Sequence, residues 1–226
     1  MNNKAKIKEI FSSIQGEGLL VGVEQIFIRF CKCNLACKYC DTDFSSDYKE
    51  YSPQELADYL RNNFDFNKIN SISLTGGEPL LWIDFLAEFL PLVDLPIYLE
   101  TNGTVIKDVE KIIDSIDYVS ADIKLPSCSG LINSFEKHDK FFETFCNSKA
   151  TVFAKIVFDE KITDEEIKLA TDLSKKYGFE IILQPKMIGD KMSINSAFIR
   201  KIFYKFLEYT KNVRVIPQVH KFLGVE

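Results

Sequence analysis

Short apolar segments rich in β-branched residues alternate along this chain with segments of helical periodicity. Seven segments have the length and composition of buried strands: residues 25–30, 71–74, 97–100, 118–121, 152–158, 180–183 and 213–216. Apolar residues recur at helical spacing in residues 53–62, 83–90, 106–115, 164–177 and 195–209. Because repeated strand-helix units pair their strands in parallel through right-handed crossovers, the sequence predicts an α/β fold.

The number of strand-helix units limits the architecture further. About six units are fewer than the eight that close a TIM barrel. We therefore expect a partial, open TIM-like barrel of about six parallel strands, formed by one domain over residues 1–226. Residues 126–149 interrupt the alternation, and we interpret them as an irregular insertion.

Composition and charge exclude several classes of protein. The chain has 28 lysines and arginines against 33 acidic residues and no long basic run, so it does not resemble a nucleic-acid binder. No apolar stretch approaches the roughly twenty residues of a membrane-spanning helix. We expect a cytoplasmic protein with reduced thiols and with neither nucleic acid nor a membrane as partner. With only two histidines, thiols and carboxylates must carry most of the chemistry.

Four of the six cysteines lie in one loop, directly after the first predicted parallel strand. Cys33, Cys37 and Cys40 have the spacing C-x3-C-x2-C, and Cys31 precedes them. Ferredoxin-type clusters use four cysteines, so three thiolates would leave one iron of a [4Fe-4S] cube open to another ligand, which points to an enzyme. Zinc bound by all four thiols is the alternative, although structural zinc sites usually pair two knuckles separated by a longer stretch.

Polar groups lie at or near the ends of five consecutive predicted strands. In a parallel α/β barrel these strand ends meet at one rim, where ligands bind. Paired glycines at such a turn allow a ligand to approach the backbone closely. We therefore predict a site at this rim that includes Thr75, Gly76, Gly77, Glu78, Glu100, Asn102, Ser120, Asp122, Lys124, Lys155 and Gln184.

The cysteine spacing, followed by the Gly-Gly-Glu turn, resembles the radical S-adenosylmethionine enzymes. Six further segments resemble the 7-carboxy-7-deazaguanine synthase family: FSSIQGEG (11–18), IFIRF-x2-CNL (26–35), CDTDF (40–44), ETNG (100–103), LQP (183–185) and QVHK (218–221). The resemblance covers residues 11–221. It implies a lyase that converts 6-carboxy-5,6,7,8-tetrahydropterin to 7-carboxy-7-deazaguanine with release of ammonia, in queuosine and related deazapurine biosynthesis.

The resemblance also implies cofactors and the residues that bind them. A [4Fe-4S] cluster would be held by Cys33, Cys37 and Cys40, and Mg²⁺ by Thr42, whereas Cys31 would only pack. Contacts to S-adenosylmethionine are implied for Tyr39, Gly76, Gly77, Glu78, Glu100, Asn102, Ser120, Lys124 and Gln184. Contacts to the pterin are implied for Gln15, Glu17, Arg29, Thr75, His220 and Glu226.

The residue types suit these implied roles. A forked guanidinium such as Arg29 suits the pterin carboxylate, and a carboxylate such as Glu17 suits its guanidine-like edge. Without the resemblance, residues 15–18 would be interpreted as a flexible hairpin and His220 as a surface residue. The resemblance further implies a homodimer and an electron donor such as flavodoxin or ferredoxin.

Two alternative functions share part of the pattern. A glycyl-radical-enzyme activase has the same cysteine spacing but usually carries a ferredoxin-like insertion of eight cysteines, whereas this chain has six cysteines in all. A non-catalytic zinc-binding interaction module would use the four clustered thiols without an open metal position. Cys128 and Cys146 are isolated, and we interpret them as small packed residues.

Overall fold

The computed structural model describes residues 3–40 and 47–225. Thr42, which the resemblance assigns to magnesium, and Glu226, which it assigns to the pterin, lie outside the described residues. The strands are β1 Ala5–Ile14, β2 Glu24–Phe30, β3 Lys49–Tyr51, β4 Ser71–Gly76, β5 Ile97–Thr101, β6 Tyr118–Asp122, β7 Thr151–Phe158, β8 Glu180–Pro185, β9 Met187–Ile188, β10 Lys191–Met192 and β11 Val213–Val215. The α-helices are α1 Pro53–Asn63, α2 Ile83–Phe89, α3 Pro126–Ser129, α4 Phe135–Phe145, α5 Asp164–Tyr177, α6 Ser196–Leu207 and α7 Val219–Leu223.

A single nine-stranded sheet organises the chain, in the order β11-β8-β7-β6-β5-β4-β2-β1-β3. All neighbours from β11 to β2 pair in parallel, whereas β1 is antiparallel to β2 and β3. The predicted α/β fold with an open parallel barrel is confirmed. Strand β1 is absent from the predicted strands, which are continuous apolar runs, because its residues mix polar and apolar types as in an antiparallel strand with one face buried.

The two faces of the sheet have opposite character, because successive side chains of a strand point to opposite sides. On one face, residues such as Ile28, Leu74 and Ile156 are fully buried in the main hydrophobic core, which the helices cover. The other face carries buried polar residues such as Ser73 and Thr75. The helices therefore stabilise one face, while the polar face is available for a site.

The polar face is closed at its amino-terminal end by a small apolar cluster. Tyr98, Phe153 and Ile182 form this cluster, with Leu19 and Leu20 packed against it. These last two residues belong to a short 3₁₀ turn, Gly18–Leu20, in the connection between β1 and β2. A cavity on this face can consequently open only toward the carboxyl ends of the strands.

The prediction of an irregular insertion at residues 126–149 is wrong. This segment contains α3 and α4 and forms the crossover between β6 and β7. Helix α4 buries Phe141, Phe142 and Phe145, and Phe142 stacks on Phe179 with ring centroids 4.0 Å apart. Since the phenylalanines at positions 135, 141, 142 and 145 have helical spacing, the signal was present in the sequence.

The predicted helix over residues 106–115 is also wrong. The structure has two 3₁₀ turns there, Val109–Lys111 and Ile113–Ser115. Asp108, just before them, has a φ of +60°, which a continuous right-handed helix does not allow. The β-branched residues in this segment also lower its helix propensity.

None of the helices within residues 3–40 and 47–225 is long and apolar enough to cross a bilayer.

Candidate active site

A cavity of about 440 Å³ opens at the carboxyl ends of the parallel strands. It brings together most of the residues that the sequence predicts: Gln15, Glu17, Arg29, Cys33, Cys37, Tyr39, Cys40, Thr75, Gly76, Gly77, Glu100, Asn102, Lys124, Gln184 and His220. Two other predicted cofactor contacts, Glu78 and Ser120, are buried behind the cavity wall. Residues distant in sequence thus meet at the predicted rim.

The three predicted cluster cysteines line one side of this cavity. The Sγ atom of Cys33 accepts hydrogen bonds from the Leu35 amide at 3.4 Å and from Asn102 Nδ2 at 3.8 Å. Burial raises the pKa of the Cys33 and Cys37 thiols. A bound cationic centre would offset this penalty on the thiolates.

The three thiols need not converge on one point to hold a cube. Within the part of the chain that the structure describes, no group of three or more His, Cys, Asp or Glu side chains is placed to hold one metal ion. In a [4Fe-4S] cube each thiolate binds a different iron, so the sulfurs need not converge on one point. Cys31 is buried at the end of β2, as predicted for a packed residue.

The glycine turn after β4 has a structural reason. Gly76 has a φ of +105°, and a Cβ there would lie 2.5 Å from the backbone nitrogen of Phe30 on β2. The sequence analysis attributed the glycines to ligand approach, but the close contact at Gly76 is with the neighbouring strand. Only glycine permits this backbone path.

Glu78 connects the ends of β4 and β5. Its carboxylate accepts hydrogen bonds from the Leu80 amide, the Thr101 hydroxyl and the Asn102 amide at 2.8–3.1 Å. Burial raises the pKa of Glu78 to about 7, in spite of these donors. Its side chain therefore positions Asn102, which does line the cavity.

Glu100 accepts hydrogen bonds from three side chains, one in the connection after β1 and two on β4. It accepts hydrogen bonds from Gln15 Nε2 at 3.0 Å, the Ser73 hydroxyl at 3.3 Å and the Thr75 hydroxyl at 3.1 Å. Burial raises the pKa of Glu100. Gln15 and Thr75, both predicted pterin contacts, are thus held by a residue predicted to contact the cofactor.

A chain of charged groups crosses the floor of the cavity. The Lys155 ammonium pairs with the Glu17 carboxylate and lies 3.4 Å from Asp122 Oδ1, while Asp122 Oδ2 lies 2.5 Å from Lys124 Nζ. Burial alone would raise the pKa of Glu17, but the charge and hydrogen bond of Lys155 and a hydrogen bond from Gln218 lower it to about 2. Glu17 is therefore a carboxylate at neutral pH.

The carboxyl-terminal helix, α7, and the residue before it contact the loop between β1 and β2. The Val219 amide donates to the Gly16 carbonyl at 2.9 Å, and Gln218 Nε2 donates to Glu17 Oε1 at 2.6 Å. A Cβ at Gly16 would lie 2.2 Å from His220 Nδ1 and 2.5 Å from the His220 backbone nitrogen. His220 reaches the cavity wall only because position 16 lacks a side chain.

Gly16→Ala is expected to displace the carboxyl-terminal helix. The new methyl group must move the His220 backbone, and misplacement of a binding group by about 1 Å costs on the order of 100-fold in activity. We expect KM for the substrate to rise by a factor of that order, measured by steady-state kinetics. Val21→Ala, in the same connection but with a φ of −51° and outside the cavity lining, is the control. An unchanged KM in Gly16→Ala would contradict the steric argument.

The Arg29 side chain is held in place by neighbours that were not among the predicted site residues. Its guanidinium pairs with Glu9 and lies 5.8 Å from the centroid of the Phe11 ring. Phe11 in turn stacks on Phe27, its cross-strand neighbour, with ring centroids 5.1 Å apart. Both rings line the cavity. Finding them required the antiparallel register of β1, which no sequence pattern revealed.

His138 is buried behind the loop that follows β5. Its Nδ1 lies 3.1 Å from the Gly103 carbonyl, and among the described residues its Nε2 has no hydrogen-bond partner. Burial lowers the pKa of His138 to about 4. The ring is therefore neutral at physiological pH and donates from Nδ1 to the loop.

This depressed pKa predicts a loss of stability in acid. In the unfolded chain His138 binds a proton near pH 6.5, whereas in the folded chain it does so only near pH 4. Protonation of the unfolded chain therefore lowers the free energy of unfolding as pH falls from 6.5 toward 4, and above pH 6.5 His138 has no such effect. Between pH 7 and 5 we expect His138 to account for a decrease of about 2 kcal/mol in the free energy of unfolding. Urea denaturation of wild type and His138→Asn at both pH values measures it. Equal pH dependence in the two proteins would refute the assignment.

The open parallel barrel, with C-x3-C-x2-C after its first parallel strand and a glycine turn after the second, defines the radical S-adenosylmethionine class. Residues 27–184 match the model of the Radical SAM superfamily. Relatives named 7-carboxy-7-deazaguanine synthase match nearly the full length. They include proteins from Methanothermobacter thermautotrophicus (48% identity, 98% of each chain) and Geobacter sulfurreducens (36%, 97% of each chain). The chain belongs to the 7-carboxy-7-deazaguanine synthase family.

A solved structure agrees with the fold. The crystal structure of QueE from Escherichia coli superposes with a TM-score of 0.64 at 21% sequence identity, over 96% of this chain and 95% of that one. At this identity the likeness supports the fold alone. The family resemblance that the sequence motifs predict is confirmed by the full-length relatives.

Proposed function

We propose that this protein converts 6-carboxy-5,6,7,8-tetrahydropterin to 7-carboxy-7-deazaguanine and releases ammonia. One observation carries the proposal: the three-cysteine loop and two charged residues, Glu17 and Arg29, line the same cavity. The residues that would hold a radical-generating cluster therefore face the same space as the groups suited to a carboxypterin. The family to which the chain belongs supports the same reaction.

The protein residues suit the cofactors of this family. A bound [4Fe-4S] cluster and S-adenosylmethionine would supply hydrogen abstraction from the substrate. Cys33, Cys37 and Cys40 would hold the cluster. The Oε1 atom of Gln184 is buried without a hydrogen-bond partner among the described residues, and Gln184 lines the cavity. It would accept a hydrogen bond from a donor such as the adenine amino group.

The pterin would bind on the side of the cavity formed by β1, β2 and the carboxyl-terminal helix. Arg29, oriented by Glu9, would bind the substrate carboxylate through charge-assisted hydrogen bonds. Glu17 would accept hydrogen bonds from the guanidine-like edge, and Gln15, Thr75 and His220 complete the proposed contacts. Phe11 and Phe27 offer an apolar wall to a planar heterocycle.

Other parts of the proposal rest on the family resemblance. We propose that Mg²⁺ binds at Thr42 together with substrate oxygens and water, as this hard cation keeps several waters in proteins. We also propose that Glu226 contacts the pterin, that the protein is a cytoplasmic homodimer, and that flavodoxin or ferredoxin supplies the electron. The comparisons do not favour the activase or the zinc-binding module.

Anaerobic reconstitution tests the function. The protein, reconstituted with iron and sulfide to about four of each per chain, is incubated with the carboxypterin, S-adenosylmethionine, Mg²⁺ and a reductant. The product is identified by liquid chromatography and mass spectrometry. We expect 7-carboxy-7-deazaguanine and ammonia in equal amounts. An intact cluster that cleaves S-adenosylmethionine but forms no deazaguanine would refute the substrate assignment.

A further inference from the structure

Lys155 occupies the middle of the charged chain on the cavity floor. It lies on β7 beside Asp122 of β6 in the parallel register, and the residue is only 7% exposed. Its ammonium pairs with Glu17 from the β1–β2 connection and with Asp122. Two carboxylates, one in the β1–β2 connection and one on β6, therefore share one buried cation.

Each carboxylate has a second partner that leads away from Lys155. Glu17 accepts a hydrogen bond from Gln218, which precedes the carboxyl-terminal helix. Asp122 pairs with Lys124, whose ammonium lies 5.5 Å from the centroid of the Tyr39 ring in the cysteine loop. The chain thus extends from the proposed pterin side of the cavity to the proposed cofactor side.

We propose that Lys155 is a positioning residue that couples binding of the pterin to binding of S-adenosylmethionine. The inference rests on the proposed function and deepens it. A ligand that holds the Glu17 carboxylate in place also restricts the motion of the Lys155 ammonium paired with it. Through Lys155, the motion of the Asp122 and Lys124 side chains on the other side of the cavity is restricted as well. The first ligand to bind therefore meets the entropic cost of ordering these side chains. The second ligand does not meet this cost again, so it binds more tightly.

Lys155 has apolar as well as charged neighbours. On the same face, Phe153 lies two residues earlier on β7 and Ile182 is the register neighbour of Lys155 on β8, and both pack with Tyr98 in the apolar cluster that closes the barrel. An apolar side chain at position 155 would extend this cluster, but it would leave the Glu17 and Asp122 carboxylates buried without their shared cation. The buried charge is explained by the two carboxylates that it holds in register.

Equilibrium binding to the reconstituted enzyme tests the coupling. Without a reductant S-adenosylmethionine binds but is not cleaved, so its Kd can be measured by titration calorimetry with and without saturating pterin. In the wild type we expect the pterin to tighten binding by about 5-fold or more, the usual range of such couplings. In Lys155→Met we expect the ratio of the two Kd values to fall to within about 2-fold of unity.

A second variant and a control keep the result interpretable. Asp122→Asn retains the pair between Lys155 and Glu17 but removes the other carboxylate, and it should also abolish the coupling if Lys155→Met does not fold. Lys161→Met, an exposed lysine on the connection after β7, should keep the wild-type ratio. A purely structural role would weaken both binding constants and leave their ratio unchanged.

The outcomes distinguish this inference from the proposed function. If the wild type forms the deazaguanine but shows no coupling, or if both variants keep the wild-type ratio, the role of Lys155 is refuted and the function stands. If the wild type does not bind the pterin at all, the proposed function is refuted and the inference falls with it. Loss of the ratio in both variants, with Lys161→Met unchanged, supports the inference.

Discussion

Cys37→Ala is expected to abolish iron–sulfur cluster binding and, with it, all product formation. Cys37 is the middle thiol of the loop, and a cube held by two cysteines has too few ligands to remain bound. The fold should persist, because this partly exposed loop residue lines the cavity and lies outside the hydrophobic core. Iron and sulfide analysis after anaerobic reconstitution, together with circular dichroism, checks both parts of the prediction.

Cys31→Ala is the matched control for this experiment. Cys31 is buried at the end of β2, and burial raises the pKa of its thiol, as for a packed cysteine. We expect this variant to retain the cluster and the activity, with a small loss of stability of about 1 kcal/mol. If it lost the cluster while Cys37→Ala kept it, the ligand assignment would be wrong.

Arg29→Met is expected to raise KM for the carboxypterin by about 100-fold, because hydrogen bonds to charged groups contribute about 1.5–3 kcal/mol each. Methionine retains an unbranched apolar stem that can pack against Phe11, so the change removes charge more than shape. Cleavage of S-adenosylmethionine without the pterin should continue at the wild-type rate. Steady-state kinetics with and without the pterin separate the two effects.

Glu9→Gln provides the comparison for Arg29. Glu9 pairs with the guanidinium Nε and is itself partly exposed, so it orients the arginine without lining the cavity. Its loss should raise KM by only a few-fold, in line with the modest energy of exposed ion pairs of about 0.2–1 kcal/mol. If Glu9→Gln raised KM as much as Arg29→Met does, the two residues would act as one unit. If Arg29→Met left KM unchanged, Arg29 would not belong to the proposed site.

The repeating parts of the fold could be predicted from the sequence. Buried parallel strands are apolar on both faces or nearly so, and they stand out as short runs between helical segments. Capping residues made α5 equally clear: the Thr163 hydroxyl and the Glu166 carboxylate form the reciprocal bonds of a capping box. Since strand ends meet at one rim, the polar residues after the strands led directly to the cavity.

Other features depended on tertiary contacts that no local pattern encodes. The strand β1 alternates in polarity, and its register with β2 places Phe11 on Phe27 and Glu9 on Arg29. Ser120 lies within β6 and Glu78 follows β4, but both side chains are buried behind the cavity wall. The direction of a side chain at a strand end depends on the register of neighbouring strands, which periodicity alone does not fix.

The hydrogen bond between Gln218 and Glu17 joins residues 201 positions apart. Together with the bond from Val219 to Gly16, it brings the last segment of the chain against one of the first. Residues 218–220 follow all the strands of the large sheet in sequence. A fragment that ends before them would contain the cysteine loop and the parallel strands but would lack one wall of the substrate site.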